Sequence, residues 1–179
     1  MTSALQVLGG GGVGIFPTHI EATFYAQGAA FAKGDVVQVD CVSSVQGTNA
    51  IDAASTSTDP GGMGTSVFSN VVTPTAGGIK RGILAVCLDA SVADGSPGRF
   101  LLSGITDSVF MIAATGDIAI GNELVATTAK NLDAIVAPDE RIVGIALEAK
   151  TNAGGASTRS LMKAWFNGLP GGFGMDTGT

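Results

Sequence analysis

The residues that could carry chemistry in this sequence are few and lie far apart. Asp176, Thr177 and Gly178 form a triplet that in acid proteolysis supplies one of two proton-sharing carboxylates. It lies in a glycine-rich stretch, where no neighbouring groups are expected to hold a carboxylate in place. The single imidazole, His19, follows Pro17 at a junction, and the Gly-x-Ser-x-Gly pattern of a serine nucleophile is absent from the sequence. We therefore predict no catalytic residue and no enzyme.

Phosphate and metal sites have little support either. The stretch from Gly9 to Gly14 matches Gly-x-Gly-x-x-Gly, but a dinucleotide site needs a strand before it and a helix after it. Pro17 stands where that helix would begin, so we interpret the stretch as part of a flexible arm. Cys41 and Cys87, with one histidine, are too few for a zinc site, and their apolar surroundings predict small buried thiols. We expect no cofactor and no metal ion.

Most of the aspartates fall in turns, where their side chains accept backbone hydrogen bonds. Two of them could still form a carboxylate pair that hydrolyses a glycosidic bond. The sequence has only one tryptophan and one tyrosine on which a sugar could stack, which disfavours that reading. Glycan binding or turnover stays an open alternative.

Glycine and proline indicate the fold class. The 179 residues include 27 glycines and 6 prolines, which favour tight turns and interrupt helices. Only 13% of the residues are charged and 45% are hydrophobic, a balance suited to short buried strands. At this length one domain can bury a core without disulfides or metal ions. We predict an all-β fold, a small β-barrel or β-sandwich of short antiparallel strands with flexible glycine-rich N- and C-terminal arms.

Charge and hydropathy restrict the partners. The formal net charge is −6, and only Lys80 and Arg81 are adjacent basic residues. The sequence therefore has no cluster of basic residues that could bind the phosphates of a nucleic acid. No apolar run approaches the roughly 20 residues that cross a bilayer, and the start lacks the basic region of a signal peptide. We expect no nucleic acid, no membrane and synthesis in the cytoplasm. The mean hydropathy of +0.40 predicts that another subunit covers part of the apolar surface.

The chain is expected to comprise an N-terminal arm (1–16), a β-domain (17–167) and a C-terminal arm (168–179). A long insertion at 43–78, rich in Ser, Thr, Gly and Asp, interrupts the β-domain. Apolar side chains at both odd and even positions of 79–90 predict a strand buried on both faces. Residues 99–105 and 108–114 predict two strands separated at Thr106 and Asp107.

Two parts of the β-domain repeat one pattern. A turn with the sequence AKGD at 32–35 precedes a valine-rich strand, and Gly82 opens a later apolar strand. A turn with the sequence AIGN at 119–122 likewise precedes a strand, and Gly144 opens the next one. The spacing differs between the copies, so we interpret the pattern as recurring hairpins and not as a fixed-period array.

These patterns, in this order, resemble the capsid cement or head decoration proteins of tailed bacteriophages. They are the Gly-Asp turn and strand (32–37), the Arg-Gly-Ile-Leu-Ala-Val strand (81–86), the second turn (118–125) and the Arg-Ile-Val-Gly-Ile-Ala-Leu-Glu-Ala strand (141–149). The resemblance covers residues 31–166. Two departures are Asn122, where the family pattern has Asp, and the length of the insertion.

The resemblance implies a structural virion protein that binds the outer surface of a phage head and bridges major capsid subunits. Its partners would be the major capsid protein and further copies of itself, in a homotrimer or alternatively a dimer. A phage tail or baseplate β-domain and a glycan-binding adhesin remain alternatives. The hypothetical capsid-binding residues are Leu5, Val7, Leu8, Val13, Ile15, Phe16, Leu169, Pro170 and Phe173, and the hypothetical trimer-interface residues are Val37, Val39, Ile142 and Ile145.

Overall fold

The computed structural model describes residues 19–40, 70–114, 116–135, 140–152 and 158–175. Their regular elements are nearly all strands, which confirms the predicted all-β fold. The elements are β1 (Ile20–Ala26), β2 (Phe31–Ala32), β3 (Val36–Val39), β4 (Asn70–Val72), α1 (Ala76–Arg81), β5 (Leu84–Cys87), β6 (Ser91–Val92), β7 (Pro97–Met111), β8 (Glu123–Ala126), β9 (Leu132–Ala134), β10 (Arg141–Ala146), β11 (Ser160–Asn167) and β12 (Gly174–Met175). No helix in these ranges is both long and apolar enough to span a bilayer.

The strand pairings close into two circuits that share β7. In the first circuit, here called ring 1, the order is β1, β4, β3, β5, β7 and back to β1. In ring 2 the order is β7, β9, β8, β10, β11 and back to β7. In each ring one pairing is parallel and the others are antiparallel. Closure leaves few strand edges open to other chains.

The long strand β7 corrects one prediction from the sequence. Thr106 and Asp107 do not separate two strands, since β7 runs unbroken from Pro97 to Met111. Its first part completes ring 1 by pairing with β1 and β5, and its second part opens ring 2 by pairing with β11 and β9. Pairing with β11 on both flanks of Asp107, Thr106 with Ala164 and Val109 with Met162, keeps these polar residues in extended conformation, although they resemble a turn locally.

The two rings have equivalent pairings. Val37 pairs with Ala85 in ring 1, and Leu124 pairs with Gly144 in ring 2. Each ring has a hydrophobic cluster, one containing Phe24, Val37 and Phe100, the other Val109, Leu124 and Ala164. The predicted repeat is therefore present. Its register differs from the prediction, since Gly144 corresponds to Ala85 and not to Gly82. The register is set by the hydrogen bonds between strands and not by the Gly-Ile pairs in the sequence.

Strand β5 confirms the predicted burial on both faces but not the predicted length. The strand expected over 79–90 is limited to Leu84–Cys87, because residues 79–81 belong to α1. Ala85 and Cys87 pack in the cluster of ring 1, whereas Leu84 and Val86 pack in the cluster that extends through ring 2. All four residues of β5 are buried. The strand therefore lies between the two rings and ties their cores together.

The described part of the predicted insertion is ordered. Residues 70–78 contain β4 and the start of α1, whose N-cap Thr75 accepts a hydrogen bond from the Gly78 N–H at 3.0 Å. Ile79, on α1, packs against the cluster of ring 2. The rest of the insertion, through residue 69, lies outside the described residues, as does the whole N-terminal arm.

Candidate functional site: two equivalent turns

The turns at 32–35 and 119–122 have the same backbone geometry. The Asp35 N–H donates to the Ala32 carbonyl at 3.0 Å, and the Asn122 N–H donates to the Ala119 carbonyl at 3.1 Å. The third residue of each turn is a glycine with positive φ, +89° at Gly34 and +91° at Gly121, as a type II turn requires. We call these turns T1 (residues 32–35) and T2 (residues 119–122).

The fourth side chain braces each turn in the same way. An Asp35 carboxylate oxygen accepts the Ala32 N–H at 2.9 Å, and the Asn122 side-chain oxygen accepts the Ala119 N–H at 2.7 Å. The Asn122 departure noted in the sequence therefore preserves the turn, because an amide oxygen accepts this bond as a carboxylate does. What Asn122 lacks is the negative charge.

T1 is inserted against ring 2. The Gly34 carbonyl accepts the Phe110 N–H of β7 at 2.9 Å, and the Val36 N–H donates to the Lys130 carbonyl at 3.0 Å. Gly34 has no room for a side chain, since a Cβ there would clash with Leu161 and lie 3.1 Å from the Ser108 carbonyl oxygen. T1 thus fastens ring 1 to ring 2 through backbone bonds and close packing.

Asp35 adds a charged cluster to this contact. Its carboxylate is 2% exposed and lies 2.9 Å from an Arg159 guanidinium nitrogen and 3.7 Å from the Lys130 Nζ. The two cations also lie over aromatic rings, Arg159 over Phe110 and Lys130 over Phe31. The sequence identified Asp35 only as a turn residue, because Arg159 lies 124 positions away along the chain.

T2 has the same backbone, but its four residues are exposed. Ile120 is 68% exposed, the largest value among the exposed large hydrophobic side chains of the described residues. Nothing lies within 4 Å of a Cβ placed at Gly121, although the equivalent Gly34 is enclosed. T2 borders an open concavity of about 420 Å³ lined by Gly121, Asn122, Glu123, Ala134 and Ile135. The surface that ring 2 covers at T1 is therefore open at T2.

The structure corrects the predicted location of the trimer interface. Val37, Val39 and Ile142 are buried within the protomer, so their side chains cannot contact another copy. Ile145 is half-buried, and its neighbour across the sheet is Trp165. Alternating positions on strands that are buried on both faces look alike in the sequence. The homotrimer itself stays a prediction.

The hypothetical capsid-binding residues fall into two groups. Leu5, Val7, Leu8, Val13, Ile15 and Phe16 lie outside the described residues. Leu169 is half-buried, Pro170 is exposed, and Phe173 packs edge-on against Trp165 with ring centroids 4.9 Å apart. Their role in capsid binding stays a prediction.

The described part of the predicted C-terminal arm lies on the protein's own body. β12 pairs with β10, and the Phe173 N–H donates to the Ile142 carbonyl at 2.9 Å. The buried Arg141 guanidinium donates to the carbonyls of Gly82, Gly168 and Leu169. Burial lowers the pKa of Arg141, and its Nε has no hydrogen-bond partner among the described residues. Arg141 thus fixes the segment after β11, which corrects the expectation of a flexible arm for residues 168–175.

His19 and Cys87, two residues considered for chemistry in the sequence, have different surroundings in the structure. His19 is exposed, and its imidazole Nε2 lies 2.7 Å from a Glu21 carboxylate oxygen. Burial raises the pKa of the Cys87 thiol to about 11, so the thiolate nucleophile is disfavoured at neutral pH. Cys41 lies outside the described residues. Among the described residues, no group of three or more His, Cys, Asp or Glu residues could hold a metal ion.

No protein-family model matches the chain, and no curated protein matches it. Among solved structures, it is similar to the crystal structure of the head fiber gp8.5 N base in bacteriophage phi29. The two are 13% identical, with a TM-score of 0.46 over 86% of this chain and 98% of that chain. With so low a TM-score and identity, the likeness assigns no function to this chain.

Proposed function

We propose that this chain is a structural virion protein of a tailed bacteriophage, a cement or decoration protein that binds the outer surface of the head. The observation that carries the proposal is the ordered set of four sequence patterns at 32–37, 81–86, 118–125 and 141–149. In support, the two turns in that set have the same hydrogen-bonded geometry, so they are two copies of one structural element.

The proposed role is mechanical and not enzymatic. Two closed rings fastened at T1 and by β5 form a body that resists deformation, because every ring strand is paired on both sides. Such a body would bridge major capsid subunits without changing a covalent bond. Repeated weak contacts around a symmetric shell would add up through multivalency. The protein would be made in the bacterial cytoplasm and would end on the outer capsid surface of the virion.

Binding to purified heads tests the proposal. The protein should co-sediment with expanded heads and not with unexpanded ones, because expansion creates the surface that a cement protein bridges. Deleting residues 1–14 should weaken head binding and leave any oligomer intact, since the N-terminal arm is the proposed capsid contact. Absence of co-sedimentation with either form of head would refute the proposal. Monomers after the deletion would refute the division of roles between arm and rings.

The alternative functions predict that the purified protein binds something other than phage heads. A tail or baseplate domain should bind isolated tails and leave heads unbound. An adhesin or glycan-processing protein should retain or cleave an oligosaccharide, and replacement of one particular carboxylate should abolish that activity. A glycan array with the full chain separates this case from the others.

A further inference from the structure

One end of ring 1 forms an apolar concavity, here called the mouth. It has a volume of about 180 Å³ and is lined by Phe24, Val39, Ile83, Leu102 and Leu169. Val39 ends β3 and Ile83 precedes β5, so the mouth lies where strands of the ring end. Phe24 and Val39 are buried in the cluster of ring 1, and the half-buried Ile83 and Leu102 pack against that cluster. Because all five lining side chains are apolar, an uncharged apolar segment fits the mouth.

The N-terminal arm joins the described body beside the mouth. Ile20, the first residue of β1, pairs with Ser103, which follows Leu102 in the wall of the mouth. The preceding residue, His19, lies so close to β7 that a Cβ added at Gly104 would be 2.8 Å from its Nδ1. The point at which the arm is attached therefore lies at the rim of the mouth.

The nearest large apolar residues of the arm are within reach of the mouth. Ile15 and Phe16 precede Ile20 by five and four residues, and an extended chain of that length spans about 13–18 Å. Five strands spaced about 4.8 Å apart enclose an end only roughly 8–11 Å across. Pro17 lies between this apolar pair and His19, where it suits a change of chain direction. The pair can therefore fold back over the mouth.

The composition of the arm matches the lining of the mouth. Residues 1–18 contain no charged side chain, whereas the stretch at 41–69, which follows β3 near the mouth, contains Asp52 and Asp59. A segment on the same chain also acts at an effective concentration on the order of 1 mM, far above that of a second copy in dilute solution. The arm of the same chain is therefore the favoured occupant.

We propose that Ile15 and Phe16 dock in the mouth of ring 1 of the same chain and close that end of the ring. The contact assigns these two hypothetical capsid-binding residues to the body of the protein and anchors the base of the arm. The apolar residues that it leaves for a separate partner are Leu5, Val7 and Leu8. This inference goes beyond the proposed function, because it concerns a contact within one chain and needs no phage head.

Disulfide trapping in the full chain tests the contact. With Cys41 replaced by serine, Phe16→Cys and Ile83→Cys should form a disulfide within the monomer under mild oxidation by dissolved oxygen, because Ile83 lines the mouth. Phe16→Cys with Ile105→Cys is the matched control, since Ile105 is 45% exposed and lies near the start of β1 but does not line the mouth. The Ile83 pair should form at least about tenfold faster than the Ile105 pair, because docking raises the effective concentration of the arm at the mouth only.

A second measurement tests whether the arm covers the mouth. Ile15→Ser combined with Phe16→Ser should raise the fluorescence of bound anilinonaphthalene sulfonate at least about twofold, because this dye binds exposed apolar surface. Val7→Ser combined with Leu8→Ser also removes two large apolar side chains from the arm and should leave the fluorescence unchanged. Circular dichroism of both variants checks that the β-domain stays folded.

Three results would overturn the proposal. The first is an equal rate of disulfide formation at Ile83 and Ile105. The second is a disulfide-linked dimer as the main product, since it would mean that the arm of another copy occupies the mouth. The third is wild-type dye fluorescence in the variant with serine at both Ile15 and Phe16.

Discussion

Replacing Asp35 by asparagine isolates the charged cluster between the rings. Asn122 occupies the equivalent position of T2 and still accepts the turn hydrogen bond, so the Asp35→Asn variant should preserve T1. The change removes the negative charge that faces Arg159 and Lys130, and it replaces the oxygen that accepts the Arg159 hydrogen bond by an NH2 group, which can only donate. It is thus a smaller perturbation than truncation, and it tests the ion pairs together with the hydrogen bond that Arg159 donates.

The expected loss of stability in Asp35→Asn depends on how deeply the charged groups are buried. Removing one partner of a fully buried ion pair costs about 3–5 kcal/mol, because the other charge stays buried without compensation. Here the carboxylate is buried, but the side chains of Arg159 and Lys130 are 38% and 27% exposed, so water can solvate them partly. We therefore expect Asp35→Asn to lower the free energy of unfolding by about 1–3 kcal/mol. In a domain of this size that corresponds to a fall in Tm of roughly 2–4 °C per kcal/mol.

T2 provides the matched control. Asn122→Ala removes the turn hydrogen bond at an exposed site and should cost about 0.5–1.5 kcal/mol. Asp35→Ala removes the same bond and the ion pairs together, so its cost should be about the sum of the costs of Asn122→Ala and Asp35→Asn. Urea unfolding followed by the fluorescence of the single tryptophan, Trp165, measures all three.

Two outcomes would refute this reasoning. One is an Asp35→Asn variant within about 0.5 kcal/mol of the wild type, the range of ordinary surface substitutions. The other is an Asp35→Ala variant that costs no more than Asn122→Ala. Either result would mean that backbone bonds and packing hold T1 against ring 2 without help from the charges.

Three further predictions use the same unfolding assay or the same fluorophore. Gly34→Ala should destabilise the fold by about 2 kcal/mol more than Gly121→Ala. Both substitutions incur the cost of a positive φ, but only Gly34 is enclosed by other residues. Equal losses of stability in the two variants would contradict the close packing at T1. Cys87 has a pKa of about 11 in the fold against an ordinary 9.0, so the folded state keeps a proton that the unfolded chain releases. The contribution of Cys87 to stability is complete below pH 9 and falls as the pH rises toward 11. In the Cys87→Ala variant the free energy of unfolding should therefore fall less steeply over this pH range. The same pH profile in both proteins would contradict the raised pKa of Cys87. Phe173→Ala should shift the emission of Trp165 to longer wavelength, because Phe173 packs on that indole; an unshifted spectrum would place the segment elsewhere in solution.

Local patterns in the sequence were enough for the fold class and for several elements. Turn chemistry identified T1 and T2, and apolar residues at successive positions identified β5 as buried on both faces. The similarity of the two halves was also visible, although its register was not. These features depend on neighbours a few residues apart, which is the range over which side-chain periodicity and turn preferences act.

Only the tertiary structure decided which groups meet. It paired Asp35 with Arg159, carried β7 through Thr106 and Asp107, buried Val37 and Ile142, and placed the segment after Asn167 on β10 under Arg141. It also covered T1 and left T2 exposed, although both turns have Ala first and Gly third. Each of these outcomes depends on strand pairings between distant residues, and a short stretch of sequence has the same propensity whichever partner closes on it.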